Sequence, residues 1–283
     1  MNKRKGDLMK KRLGFLGGGN IAETLIAGLV KSRLILPMNI YVYDCHQEKT
    51  HFLHQKYGIN FTSSEEEVIK KTDILFLAVK RDVILNVLKD KFDFVNENTL
   101  VISLAAGITL DLLKKIVGPN RKILRVMPNT AALVGESMTS ITSNTLVTPQ
   151  EIKQVVQIFN LVGKTAVLTE DLIHSVIGVS SSAPAYVYIF IEAMADAAVL
   201  GGMSREKAYK FAAQAVKGAA EMILTTGKHP AELKDKICSP KGTTIEALKV
   251  LEEKGFRASI ICAIYACMQK SILNEKLDRD GNY

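Results

Sequence analysis

Five short runs in the first half of the chain are apolar at consecutive positions rather than alternate ones: "RLGFLG", "NIYVYD", "TDILFLAV", "TLVISLAA" and "KILRVM". Strands covered on both faces carry that pattern, and amphipathic stretches separate the runs, so the first half predicts a parallel sheet with helical crossovers. It closes at Thr148-Pro149-Gln150-Glu151, where a capping threonine, a proline at the first helical position and a glutamate three residues after the cap start a helix predicted to reach about Val162. Beyond Thr169 the strand pattern gives way to Ala-rich helical segments: Ala183 to Leu200, Ser204 to Thr226, Pro230 to Ile237, Thr244 to Glu253 and one more behind them. Ala193, Ala197, Ala212, Ala213, Ala219 and Ala220 let helix backbones approach closely. Helices apolar on more than one face need partners on more than one side, so dimerisation through this half is predicted.

Between the first apolar run and the first helix stands "GFLGGGNIAETLIAGL", in which Gly17, Gly19 and Ala22 satisfy G-x-G-x-x-A. The first glycine makes the turn, the second admits a pyrophosphate, and the third small residue lets helix pack on strand. The expected fold is therefore α/β, a Rossmann-type doubly wound sheet over residues 1–168 followed by an all-helical dimerisation and substrate domain over 169–283. Asp44 ends the second run, where an acid receives the hydroxyls of a cofactor ribose and repels a 2′-phosphate. His46 and Lys49 lie just beyond and offset that charge, so NADPH and NADH are both expected to serve.

Composition narrows the class. At 47% hydrophobic and 23% charged residues, the 283-residue chain has the make-up of a soluble globular protein. Its net charge of +8 is concentrated at the start: Lys3, Arg4, Lys5, Lys10, Lys11 and Arg12 stand against Asp7 alone, which leaves the body nearly balanced. With no Trp and 6% aromatics, the chain lacks the interleaved basic and aromatic stripe of a nucleic-acid binder. The basic tail has no apolar core before a cleavage site, so it reads as an extended start and not a secretory signal. "AYVYIFIEAMADAAVLGG" holds Glu192 and Asp196 at its middle, which argues for a buried helix over a membrane span. Cys45, Cys238, Cys262 and Cys267 form no C-x-x-C pair and suit a reducing cytoplasm. His46, His51 and His54 crowd one segment, but no tight His-Glu signature accompanies them; they read as the solvated face of a helix, and no metal is expected.

Two later stretches can carry chemistry. "SSSAPAYVY", Ser180 to Tyr188, leads three hydroxyls into a helix with Pro184 in its first turn, where a serine cap is the simplest role. In "CSPKGTTIEAL", Cys238 to Leu248, Thr243 and Glu246 have capping-box spacing, and the helix start offers unpaired amides to an anion.

Taken together, these residues resemble the pyrroline-5-carboxylate reductases, which catalyse the last step of proline synthesis. The resemblance rests on "GFLGGGNIAETLI", "FLAVK", "SLAAGIT", "RVMPNTAALVGES", "SSSAPAYVYIFIEAMADAAV" and "HPAELKDKICSPKGTTIEALKVLEEKGFRA", in that order along nearly the whole chain. It implies a homodimer, or a larger ring of dimers, acting on a small cyclic imine with no nucleic acid or membrane involved. Gly17, Gly18, Gly19, Asn20, Ile21 and Ala22 would hold the pyrophosphate. Ala78, Val79, Lys80, Ala105, Ala106 and Gly107 would line the cofactor, with Asn129 near the nicotinamide. Ser182, Ser239, Thr243 and Thr244 would take the substrate, its carboxylate among them, and the Thr244 hydroxyl would serve as the catalytic donor beside the ring nitrogen. The chain departs from the usual pattern at Ser181, Ala183 and Lys241, each in place of a glycine, and at Ala131 and Arg81, each in place of a proline. The same residues leave room for a related imine or hydroxy-acid oxidoreductase, or for a cofactor-binding regulatory relative without turnover.

Overall fold

The computed structural model describes residues 8–89, 91 and 94–279; the first seven residues of the basic tail, Lys3, Arg4 and Lys5 included, lie outside them. Two compact units result, one of residues 8–181 with 270–279 and the other Ser182–Gln269. Their division thus falls at 181/182, where the sequence suggests 168/169, and the last turns of the final helix belong to the first unit.

The first unit alternates strands and helices: β1 (Leu13–Leu16), α1 (Asn20–Ser32), β2 (Ile40–Tyr43), α2 (Gln47–Tyr57), β3 (Asn60–Phe61), α3 (Glu65–Lys71), β4 (Ile74–Leu77), α4 (Arg81–Lys89), β5 (Leu100–Ser103), α5 (Leu110–Val117) and β6 (Lys122–Met127). Then come β7 (Ser137–Ser143), α6 (Pro149–Phe159), β8 (Gly163–Val167) and the short α7 (Ile173–Val176). The sheet runs β3-β2-β1-β4-β5-β6-β7-β8, parallel throughout except that β7 lies antiparallel to β6. Because side chains alternate across a strand, Phe15, Phe76, Ile102 and Leu124 face one core with α1 and α6, while Leu75, Leu77, Val101 and Ile123 face another with α3 and α5. Both faces are covered, which is why the strands read as unbroken apolar runs.

The capping box at Thr148 forms as predicted: its hydroxyl accepts from the Glu151 amide, and the Glu151 carboxylate receives the Thr148 amide at 2.9 Å. The helix ends at Phe159 rather than Val162, because Leu161 and Val162 close two successive turns onto Ile158 and Phe159. Within the sheet, Arg125 on β6 is 1% exposed; its Nη1 donates to Glu170 Oε1 at 2.8 Å and lies 3.7 Å from Glu275 Oε2.

The second unit is helical: α8 (Ala183–Leu200), α9 (Arg205–Thr226), α10 (Pro230–Ile237), α11 (Thr243–Glu253) and most of α12 (Phe256–Arg279). α8 packs on α9 through Ala195, Ala208 and Ala212, which are buried; of the six alanines the sequence singles out, only Ala212 is buried within the chain. The expected burial of α8 is not met either. Ile189 on α8 is 67% exposed, as are Phe211 at 67%, Leu224 at 79% and Ile261 at 68% on the later helices. Within a single chain much of the apolar surface that this layer's pattern calls to cover stays exposed. The segments Glu170–Leu200 and Phe256–Lys276 are each long and apolar enough to cross a membrane, by length and composition.

Candidate active site

The strand order reverses between β1 and β4, and sheets of this kind bind ligands outside the carboxyl ends of the strands at such a switch. Gly17 follows β1 with φ +102°, and a Cβ added there would lie 2.5 Å from the Ala78 carbonyl oxygen and 2.7 Å from Val79 Cγ1. Only glycine lets the turn pass between the two strand ends. Gly18 donates its amide to Asp44 Oδ2 at 2.8 Å. Gly19 is the N-cap of α1 with extended backbone; no side chain caps the helix, and the direction a Cβ would take is open. The amides of Asn20, Ile21 and Ala22 thus begin a 13-residue helix without intrahelical acceptors, and the open space before them suits a pyrophosphate.

The other predicted cofactor residues gather along the same edge. Ala78, Val79 and Lys80 follow β4, Ala105, Ala106 and Gly107 follow β5, and Asn129 follows β6. Asn129 shares a cleft of about 300 Å³ with Asn20, Ile21, Leu104, Pro128 and Ser181. Its side chain is fixed at both ends: Oδ1 accepts from the Ala131 amide at 3.2 Å, and Nδ2 donates to the Ser180 carbonyl at 3.2 Å. The buried hydroxyl of Ser181 has no hydrogen-bond partner among the described residues. Sequence reasoning passes over Leu104 and Pro128 although each directly follows a strand, and that position is the signal that finds them.

Asp44 sits at the end of β2 with its side chain 9% exposed. Burial works to raise its pKa, yet the amides of Gly18 and His46, the His46 ring and the Lys49 ammonium outweigh it and hold the carboxyl below its ordinary value. It therefore stays ionised at neutral pH.

In the second unit, Ser239 to Gly242 form a turn in which the Gly242 amide donates to the Ser239 carbonyl at 3.0 Å. Pro240 takes the second position and Lys241 the third, with φ +58°. Here the structure corrects the sequence reading. Gly242, not Thr243, is the N-cap of α11, and no side chain caps that helix, so Thr243 and Glu246 form no capping box. Gly242 has extended backbone and leaves no room for a Cβ beneath the Ser239 hydroxyl, so the cap falls one residue earlier. Ser239 opens the turn that leads into these amides, and Thr243 and Thr244 are the first two residues of α11. Ser182, at the start of α8, makes no capping hydrogen bond; its Oγ accepts the Cys267 thiol at 3.3 Å.

Comparison with known proteins bears on this arrangement. Residues 170–273 match the family described as pyrroline-5-carboxylate reductase dimerisation, and residues 12–107 match NADP oxidoreductase coenzyme F420-dependent. A pyrroline-5-carboxylate reductase of Escherichia coli is 53% identical over 271 residues, spanning 96% of this chain and all of that one. The chain belongs to the pyrroline-5-carboxylate reductase family. Among solved structures, the reductase of Coxiella burnetii superposes with a TM-score of 0.89 at 32% identity, covering 93% of this chain and 98% of that one. That of Plasmodium falciparum, solved with NADP bound, gives 0.84 at 33% identity over 95% and 99%. This chain is accordingly an oxidoreductase with a nicotinamide-binding sheet domain and a dimerisation domain.

Two predictions follow from the geometry. Gly19→Val keeps a backbone any residue adopts and points its side chain into the open cradle, so dinucleotide titration of the folded variant is expected to show a dissociation constant raised tenfold or more. Unchanged affinity would remove the pyrophosphate from this loop. Lys241 pays the left-handed strain that a glycine at this turn position avoids. Lys241→Gly is therefore expected to raise stability in urea denaturation by about 1 kcal/mol. A loss of stability would mean that the Lys241 side chain is held by a contact outweighing that strain.

Proposed function

We propose that this chain reduces the C=N bond of 1-pyrroline-5-carboxylate to give L-proline, with NADPH or NADH as donor. The observation that carries the reading is the end-to-end match at 53% identity to a curated enzyme of that name. The nicotinamide, when bound, supplies the hydride that adds to the imine carbon. The chain's own residues do the rest. The amides opening α1 hold the pyrophosphate, and Asp44 receives ribose hydroxyls. The amides opening α11, with Ser239, Thr243 and Ser182, hold the substrate carboxylate and ring. The Thr244 hydroxyl hydrogen-bonds the ring nitrogen and passes its proton there as hydride reaches the adjacent carbon, solvent returning a proton to the hydroxyl; a donor at nitrogen lowers the barrier because negative charge develops there.

The working form is a homodimer, alone or within a ring of dimers, in the cytoplasm. The exposed apolar faces of α8, α9 and α12 meet a second copy rather than a membrane, because Glu192 and Asp196 interrupt the most apolar segment. The basic tail, on this reading, contacts no nucleic acid.

A spectrophotometric assay tests the reaction: NADPH and NADH oxidation should both depend on pyrroline-5-carboxylate, with comparable kcat/KM. A thousandfold preference for either cofactor overturns the dual use. Dinucleotide binding with no turnover makes the chain a regulatory relative instead.

The donor is tested at Thr244. Thr244→Ala should lower kcat by roughly tenfold to a thousandfold while leaving cofactor affinity unchanged. Thr243→Ala should raise the substrate KM with little loss of stability, since Thr243 caps nothing. Full kcat/KM in Thr244→Ala would mean that water, or prior protonation of the imine, supplies the proton.

A further inference from the structure

At the end of β2 the chain bends, and three consecutive side chains that an extended strand would send to alternate faces converge instead. Cys45 Sγ lies 3.2 Å from His46 Nδ1, His46 Nδ1 lies 3.2 Å from Asp44 Oδ1, and Cys45 Sγ lies 3.7 Å from the same oxygen. Bond lengths of about 2.3 Å to sulfur and about 2.0–2.1 Å to nitrogen and oxygen place tetrahedral ligands of one zinc ion about 3.3–3.6 Å apart. The observed separations lie within about 0.1 Å of that range.

Hydrogen bonds satisfy the cluster only weakly: Nδ1 can donate to Asp44 Oδ1 at 3.2 Å while the thiol donates to the same oxygen at 3.7 Å, a long contact that a cation bound by all three groups would replace. The carboxylate is already anchored as a ligand needs to be, with Oδ2 held by the Gly18 amide at 2.8 Å. Thiolate, imidazole and carboxylate together select a borderline-soft divalent ion. Binding releases the thiol proton to solvent and leaves one coordination position open.

We propose that Asp44, Cys45 and His46 form a three-ligand site for a divalent cation of the zinc class, and that its occupancy opposes dinucleotide binding. The second half rests on the cofactor reading above. Asp44 Oδ1, already receiving the His46 amide at 2.9 Å, would turn its remaining acceptor site to the metal, and the bound cation would neutralise the carboxylate charge that ribose hydroxyls seek; linkage makes this antagonism reciprocal. The sequence reading missed the cluster because it weighed the spacing of His46, His51 and His54, whereas the signal is the contiguous triplet Asp-Cys-His.

The purified full-length protein tests this with Co2+ as probe. A thiolate-to-cobalt charge-transfer band is expected at one equivalent, displaced by Zn2+, absent in Cys45→Ser and retained in Cys238→Ser and Cys262→Ser. Fluorescence titration should show Zn2+ raising the NADH dissociation constant about tenfold in the wild type, within the usual range of such couplings, and leaving it unchanged in Cys45→Ser. No band, or a band that survives Cys45→Ser, overturns the site. A band of the expected kind with NADH affinity indifferent to Zn2+ overturns the antagonism. Failure of the metal-free protein to bind NADH overturns the cofactor reading, while the band and its loss in Cys45→Ser still support the metal site.

Discussion

The close approach at Gly17 sets the terms for the rest of the sheet domain. β1 and β4 are neighbours in register, Leu16 opposite Leu77, and the chain leaving β1 must turn against the Ala78 carbonyl with no room for a side chain. That turn aims α1 back across the sheet, where Ala22, Leu25, Ile26 and Leu29 enter the core. It also leaves the first amides of α1 pointing outward at the strand ends. Had a larger residue stood at Gly17, either the strand pairing or the helix direction would have had to change. The ligand-facing edge and the apolar core are thus two consequences of one steric constraint.

A second constraint acts from inside the sheet. Arg125 brings a full charge into a buried strand, a cost that Glu170, from the segment after β8, offsets most directly. Glu170 Oε1 also takes the amide of Leu110 at the start of α5. One carboxylate oxygen therefore joins β6, α5 and the segment entering α7. Ser180, shortly beyond, receives Asn129 and donates its hydroxyl to the Met138 carbonyl at 3.2 Å. The position of Asn129 in the cleft is thereby tied to hydrogen-bonded backbone rather than to a free loop.

Much of this was legible because local and global signals agree. The five apolar runs became five parallel strands, and the glycines fell where one strand turns into a helix. The cap at Thr148 was readable because every partner lies within four residues. The cap of α11 was not: Gly242 and Thr243 both suit that role, and only the turn through Pro240 and Lys241 settles which one takes it. The exposure of Ile189 and Phe211 was illegible for a different reason. Apolar patterning tells that a face is to be covered, but not whether the cover comes from the same chain.

Asp44 shows how one residue can hold two demands in balance. Its lowered pKa keeps it charged, and a fixed negative charge at the end of β2 would, on the proposed cofactor placement, favour ribose hydroxyls and repel a 2′-phosphate. The charge is not isolated, however. Lys49 Nζ lies 3.8 Å from Oδ2, and the amides of Gly18 and His46 point at the two oxygens. These donors draw the field of the carboxylate inward, while the half-exposed Lys49 ammonium presents positive charge to whatever approaches from solvent. A carboxylate neutralised from behind discriminates weakly, whereas the same carboxylate without Lys49 would reject a phosphate strongly. On the proposed dual use, tolerance of both cofactors would be a property of the Asp44–Lys49 pair and not of the acid alone.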